Sequence, residues 1–255
     1  MPAPEPRVSI QVIERQISLL DALARQLGAV TLKQLAAETK LHPSTAHRIL
    51  AVMLDHHLVE RTDPGRYRLG IRLLELGSLV KSRLNVRAEA LPVMQELHRR
   101  LGETVNLSIR RDDEVVTIER TAAGSSMMRV VQIVGARAPL HITAVGKIFL
   151  HADGPEAVRA YGARTGLPKY TDNTLTDPAK LQKELEQIAQ HGYACDNEEA
   201  ERGVSCIGAG ILDDEGRLVA GLSVSAPSER LGKAWPAEVK NAAARISQVL
   251  GHRGT

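Results

Sequence analysis

An α+β chain of two domains is the architecture this sequence predicts, and three observations carry it. Residues 31–70 read as helix, turn, helix and short β-hairpin. The Leu-rich, charged stretch after Gly70 has the pattern of a connecting helix. From Val86 onward, hairpins are interleaved with helices, which suggests an antiparallel sheet with helices packed on it. The expected order is a tail over 1–8, a winged helix-turn-helix over 9–70, a linker helix over 71–85 and a larger domain over 86–251.

The first helix is expected over about Ile10 to Leu27. Ile13, Ile17, Leu20, Ala24 and Leu27 recur there at three- and four-residue spacing, and Gly28 suits its end. Thr31 and Gln34 form a capping-box pattern for a second helix that turns Leu32, Leu35 and Ala36 inward. Lys40 and Leu41 turn the chain, and Pro43 suits the first position of a third helix. In that helix Ala46, Ile49, Leu50 and Met53 bury one side and leave Ser44, Thr45, His47, Arg48 and Ala51 on or near the other. A short polar face in the first turns is what the major groove of DNA accepts. By itself it equally describes a solvated amphipathic helix. The hairpin favours DNA: Leu58–Arg61 and Arg66–Leu69 flank Asp63-Pro64-Gly65, and Arg61, Arg66 and Arg68 are placed to meet phosphates beside the groove.

In the second domain, helices are expected over Ala88–Leu101, Ala144–His151, Pro178–Gln190 and Pro236–Leu250. Hairpins are expected from Thr104–Ile109 with Val115–Arg120, and from Val204–Leu212 with Arg217–Ser225. Arg129–Val134 reads as a further strand, and Met127 and Met128 as core or dimer packing. Ser223 and Ser225 are two apart on a strand, so they share a face with Gly221. Whether Cys206, Gly208 and Gly210 share it depends on the length of the Asp213–Gly216 connection.

Composition narrows the function classes. The net charge of +3 is too small to argue for a polyanion partner, and residues 9–70 hold eight Lys/Arg against six Asp/Glu, so DNA binding must rest on where the basic groups sit. Only six of 255 residues are Phe, Trp or Tyr, which argues against stacking platforms for single-stranded nucleic acid. No apolar run has membrane-spanning length, and the Pro-rich MPAPEPRVS lacks a signal peptide's apolar stretch, so a cytoplasmic protein without membrane contact is expected. Cys195 and Cys206 are expected as reduced thiols; with His191 they lack zinc-site spacing, so no metal or other cofactor is expected.

Four separated motifs now support a family. LHPSTAHRIL, RYRLGIRLLELG, RAPLHITAVGKIFLHA and GYACDNEEAERGVSCIGAGILDDEGRLVAGLSVSAP resemble, in order, the isocitrate-lyase-regulator (IclR) family of bacterial transcription factors. The resemblance covers nearly the whole chain. It implies a winged-helix DNA-binding domain joined by a helix to a GAF-like effector domain, in dimers often paired into tetramers. It also implies control, typically repression, of catabolic operons by small organic or aromatic acids. By motif, Ala144, Val145 and Gly146 fall where backbone N–H groups face the ligand carboxylate. Asp196, Cys206, Ser223 and Ser225 fall on pocket positions. Some relatives have smaller residues where this chain has Ala144-Val145.

The implied function is a regulator that binds a roughly palindromic double-stranded operator under control of an acid; a DNA-binding regulator without a metabolite is the alternative. His141 reads as a structural histidine, and Glu198, Glu199 and Glu201 as a solvated loop. An enzyme with Cys206 as nucleophile and His141 as base has no second group pinned nearby by spacing, and none is expected.

Overall fold

The structure, a computed structural model, describes residues 10–26, 28–62, 65–81, 85–121 and 134–254. It divides into two compact units, residues 1–83 and 84–255. Leu27, Asp63-Pro64, Met127, Met128 and most of the strand expected over Arg129–Val134 lie outside the described residues.

In the first unit, α1 (Gln11–Ala24) buries Leu19, Ala22 and Leu23. This corrects the expected face: Ile13 and Ile17 are about half exposed and Ala24 is exposed, while Leu20 packs against the core only in part. Three- and four-residue spacing identified a helix, but the body of the unit covers only its C-terminal half. The helix also ends before Gly28, at Arg25. A two-residue strand, β1 (Val30–Thr31), follows and was not foreseen. Next comes α2 (Leu32–Thr39), with the expected capping box: Gln34 N donates to Thr31 Oγ1 at 3.3 Å, and Thr31 N to Gln34 Oε1 at 2.9 Å. Helix α3 (Pro43–Asp55) buries Ala46, Ile49, Leu50 and Met53 as its spacing predicts, and the His42 imidazole caps its start. The wing is β2 (Val59–Thr62) with β3 (Arg66–Leu69), and β1 completes a sheet of order β1-β3-β2. Helix α4 (Ile71–Lys81) exposes Ile71, Leu74, Leu76 and Leu79.

The second unit begins with α5 (Val86–Leu101), two residues earlier than expected because Asn85 caps it. Strands β4 (Thr104–Arg111), β5 (Glu114–Thr121) and β6 (Arg137–Pro139) follow. A 3-10 turn over Leu140–Ile142 leads into α6 (Ala144–Asp153), then α7 (Pro155–Thr165) and α8 (Pro178–His191). The chain ends with β7 (Ala194–Asn197), β8 (Val204–Leu212), β9 (Leu218–Pro227) and α9 (Trp235–Val249). Helix α7 and strand β7 were not foreseen: each is short, and neither carries a clean period.

These strands make one antiparallel sheet of order β6-β5-β4-β9-β8-β7. Its two faces follow from strand alternation. Ile207, Ala209 and Ile211 of β8 and Ala220, Leu222 and Val224 of β9 pack with α5 and α9. The opposite face of the same strands carries α6. Cys206 pairs with Ser225, Gly208 with Ser223 and Gly210 with Gly221, so the small and polar residues share that second face. The register settles the parity that the hairpin length left open.

Candidate functional site

On the first unit, α3 exposes Ser44, His47 and Arg48 and half-buries Thr45. The ridge Thr45, Arg48, Val52 runs one helical face and lines a groove of about 330 Å³ with Val12, Arg15 and Gln16 of α1. Arg15 therefore stands beside the expected recognition surface, which the sequence reading missed. On the wing, Arg61 faces out, and Arg66 Nη1 donates to Ala29 O at 3.4 Å. Arg68 is already partnered: it lies opposite Glu60 in the hairpin register, and its guanidinium meets that carboxylate at 2.7 Å. The Arg68 hydrogen bond, helped by the Ile71 N–H, holds the Glu60 carboxyl below the usual carboxylate range.

On the second unit, a cavity of about 170 Å³ lies between the start of α6 and the polar face of the sheet. Ala144, Val145, Asp196, Cys206 and Ser223 line it. Helix geometry leaves the N–H groups of Ala144 and Val145 without an intrahelical acceptor. The Val145 side chain lies over Gly221, where an added Cβ would come within 2.4 Å of it. Only glycine permits that approach.

Two expected residues stand elsewhere. The Gly146 N–H donates to Thr143 Oγ1 at 3.0 Å, so the helix's own N-cap consumes it. A Cβ there would also sit 2.2 Å from Leu140 O. Ser225 is buried behind the wall, where its Oγ accepts from Asn106 Nδ2 and Cys206 Sγ, each at 3.1 Å. It supports the cavity without lining it.

Burial sets the chemistry. Asp196 Oδ1 accepts from Glu199 N at 2.7 Å and Ala200 N at 3.4 Å, yet desolvation outweighs those bonds and pushes its carboxyl up to about 7. Burial also raises the Cys206 thiol well above its ordinary value, which keeps it from being a nucleophile at neutral pH. His141 is fully buried, with Nδ1 2.8 Å from Tyr161 Oη and Nε2 3.1 Å from Pro168 O. It ties down its segment, as the sequence suggests. Both cysteines are free. Among the described residues, no group of three or more His, Cys, Asp or Glu is arranged to hold a metal ion. No described helix is long and apolar enough to cross a membrane.

Three polar wall residues, Asn106, Ser108 and Thr117, escaped the sequence reading. Asn106 and Ser108 alternate with Val105 and Leu107, which marks a polar face of β4, but only the pairing with Ser223 and Gly221 brings that face to the cavity. Glu199 is a correction. Its side chain is buried and paired with Lys147, because α6 places a lysine inside the core beneath it.

A winged helix-turn-helix with a separate α+β unit enclosing a small cavity defines a DNA-binding regulator rather than an enzyme. The family description "IclR helix-turn-helix domain" matches residues 12–63, and "Bacterial transcriptional regulator IclR C-terminal" matches residues 78–248. The chain belongs to the IclR family of bacterial transcriptional regulators. It is 34% identical over 222 residues to the HTH-type transcriptional repressor AllR of Escherichia coli strain K12, covering 87% of this chain and 82% of that one. An uncharacterized HTH-type regulator of Haemophilus influenzae is 34% identical over 250 residues, 95% of this chain and 93% of its own. Among solved structures, the Agobacterium tumefaciens repressor BlcR superposes with a TM-score of 0.87 at 27% identity, covering 96% of this chain and 99% of that one. An IclR homologue from Microbacterium hydrocarbonoxydans, complexed with 4-hydroxybenzoate, superposes with a TM-score of 0.61 at 28% identity, covering 94% and 98%.

Proposed function

We propose that this chain is a repressor whose operator affinity is controlled by a small organic acid held in the α6–sheet cavity. The observation that carries the reading is that Ala144 and Val145, at the start of α6, line the cavity together with Ser223 and Asp196. Helix-start N–H groups favour a carboxylate, and a neutral carboxyl can donate to it. The cavity is smaller than the roughly 300 Å³ at which drug-sized sites begin, so a compact acid suits it. Cys206 adds a small, uncharged wall, and Ser225 and Gly146 act behind it.

In this reading Ser44, Thr45, His47 and Arg48 contact base edges, while Arg61, Arg66 and Arg68 contact phosphates. The exposed leucines of α4 support a homodimer, which reads a roughly palindromic operator in the cytoplasm. The acid acts only through its different affinity for two conformations. The test is a titration of short monocarboxylates and 4-hydroxybenzoate into the full chain by calorimetry, with operator binding followed by anisotropy. The expected result is saturable binding by one class of acid and at least a several-fold change in operator affinity. Heat without any change in operator affinity, or no binding at all, would favour a regulator without a metabolite.

A further inference from the structure

Lys147 lies one turn into α6, behind the cavity, and is completely buried. Its Nζ donates to Glu199 Oε1 at 2.5 Å and to Cys195 O at 2.8 Å, with Glu184 Oε1 of α8 at 3.7 Å. Glu199 in turn is held through its backbone and through Oε1, while its buried Oε2 has no hydrogen-bond partner among the described residues. Its N–H donates to Asp196 Oδ1, its carbonyl accepts from Thr174 Oγ1 at 2.7 Å, and its Oε1 also accepts from Asn197 N at 3.3 Å. The segment so held runs from Asp196 through Ala200 and Glu201, all three of which line the cavity.

We propose that the buried Lys147–Glu199 pair positions this segment, fixing the Asp196 carboxyl in the cavity wall and setting its charge. The functional meaning rests on the reading that the cavity takes an acid; the geometry does not. Packing alone would not require the pair, because apolar residues of similar size fill such a space at no greater cost. The two charges act on Asp196 in opposite senses: Lys147 favours its ionised form and Glu199 its neutral form. The Cys206 thiol, its register partner on β8, faces it, and Glu184 reaches it only through Lys147; the Cys195 side chain points to the opposite face of the sheet. Arg137 of β6 and Glu201 share the cavity wall.

The experiment uses the full unliganded chain. The Asp196 side-chain carboxyl is titrated by carbon-detected NMR and assigned with Asp196→Asn. Lys147→Met should raise its midpoint and Glu199→Gln should lower it, by about one pH unit each. A merely structural pair would not move the midpoint in opposite directions. Where a single variant does not fold, Lys147→Met/Glu199→Met decides, because it leaves no unpaired charge. In it, hydrogen exchange at the Glu199 and Ala200 amides should speed up about tenfold or more relative to α9. Midpoint shifts in the same direction, or none, overturn the charge-setting role. Unchanged amide exchange in the double variant overturns the positioning role. None of these readouts needs a ligand, so a failure of the acid-binding reading is a separate result.

Discussion

Two ion pairs, one in each unit, show how differently the two halves use charge. Arg68–Glu60 sits on the wing with side chains 60% and 33% exposed; Lys147–Glu199 sits in the second unit at 0% and 4%. The first exists because hairpin register sets the two residues opposite each other. It lies in water, is screened by salt and can exchange its carboxylate for a phosphate. The second has no water to fall back on, so each charge needs the other. Polar groups on the DNA-binding face are therefore exchangeable contacts, whereas those around the cavity are fixed parts of it.

The largest expected effect tests that contrast directly. Lys147→Met should destabilise the second unit by about 3–5 kcal/mol in urea unfolding, and Lys147→Met/Glu199→Met should recover most of it. Equal losses in the single and double variants would mean that the packing, not the charge, matters.

Asp196 comes next. Its folded carboxyl titrates at about 7, against 3.8 for the ordinary group, so the folded protein holds a proton that the unfolded chain releases. Its contribution to stability is fully present below about pH 4 and is lost as pH rises through 7. At about 1.4 kcal/mol per unit that loss is at most about 4 kcal/mol. Asp196→Asn should flatten the fall in stability between about pH 4 and pH 7, measured by denaturant midpoint. A parallel pH dependence in the variant would remove Asp196 as its source.

On the DNA-binding side, Arg48→Ala should weaken operator binding by about 1–3 kcal/mol at matched salt. Arg66→Ala should instead weaken all sequences alike and reduce the salt slope by about one. Unchanged operator affinity in Arg48→Ala would remove that residue from the interface.

The smallest effect is the sharpest test of the comparison. Glu60→Gln should leave stability almost unchanged, because the pair it breaks lies in water. It should also strengthen DNA binding modestly, because it releases Arg68. A loss of DNA affinity would show that Glu60 orients Arg68 instead of competing for it.

The fold was legible where a period had room to repeat. The buried ridge Ala46, Ile49, Leu50 and Met53 and the Thr31–Gln34 cap were readable because helix contacts are local. On α1 the same reasoning found the helix but not its buried face, since which turns are covered depends on residues far along the chain. In the cavity, Ser223 and its parity partners were readable from alternation and Asp196 from motif. Asn106 and Thr117 became wall residues only when β4 paired with β9 and β5. Lys147 and Glu199 were not readable at all: 52 residues separate a lysine that looked ordinary from a glutamate that looked solvated.

By itself, the sequence determined the two-domain order, the helix-turn-helix with its wing, and the strand face on which small and polar residues gather. Those follow from short-range rules: helical and strand periods, caps and turns. Tertiary structure alone decided which of those groups meet. It put Ser225 behind the wall against Asn106 and sealed Lys147 against Glu199. Hydrogen bonds and charges take their strength from burial and from partners distant in the chain, and only the folded chain supplies both.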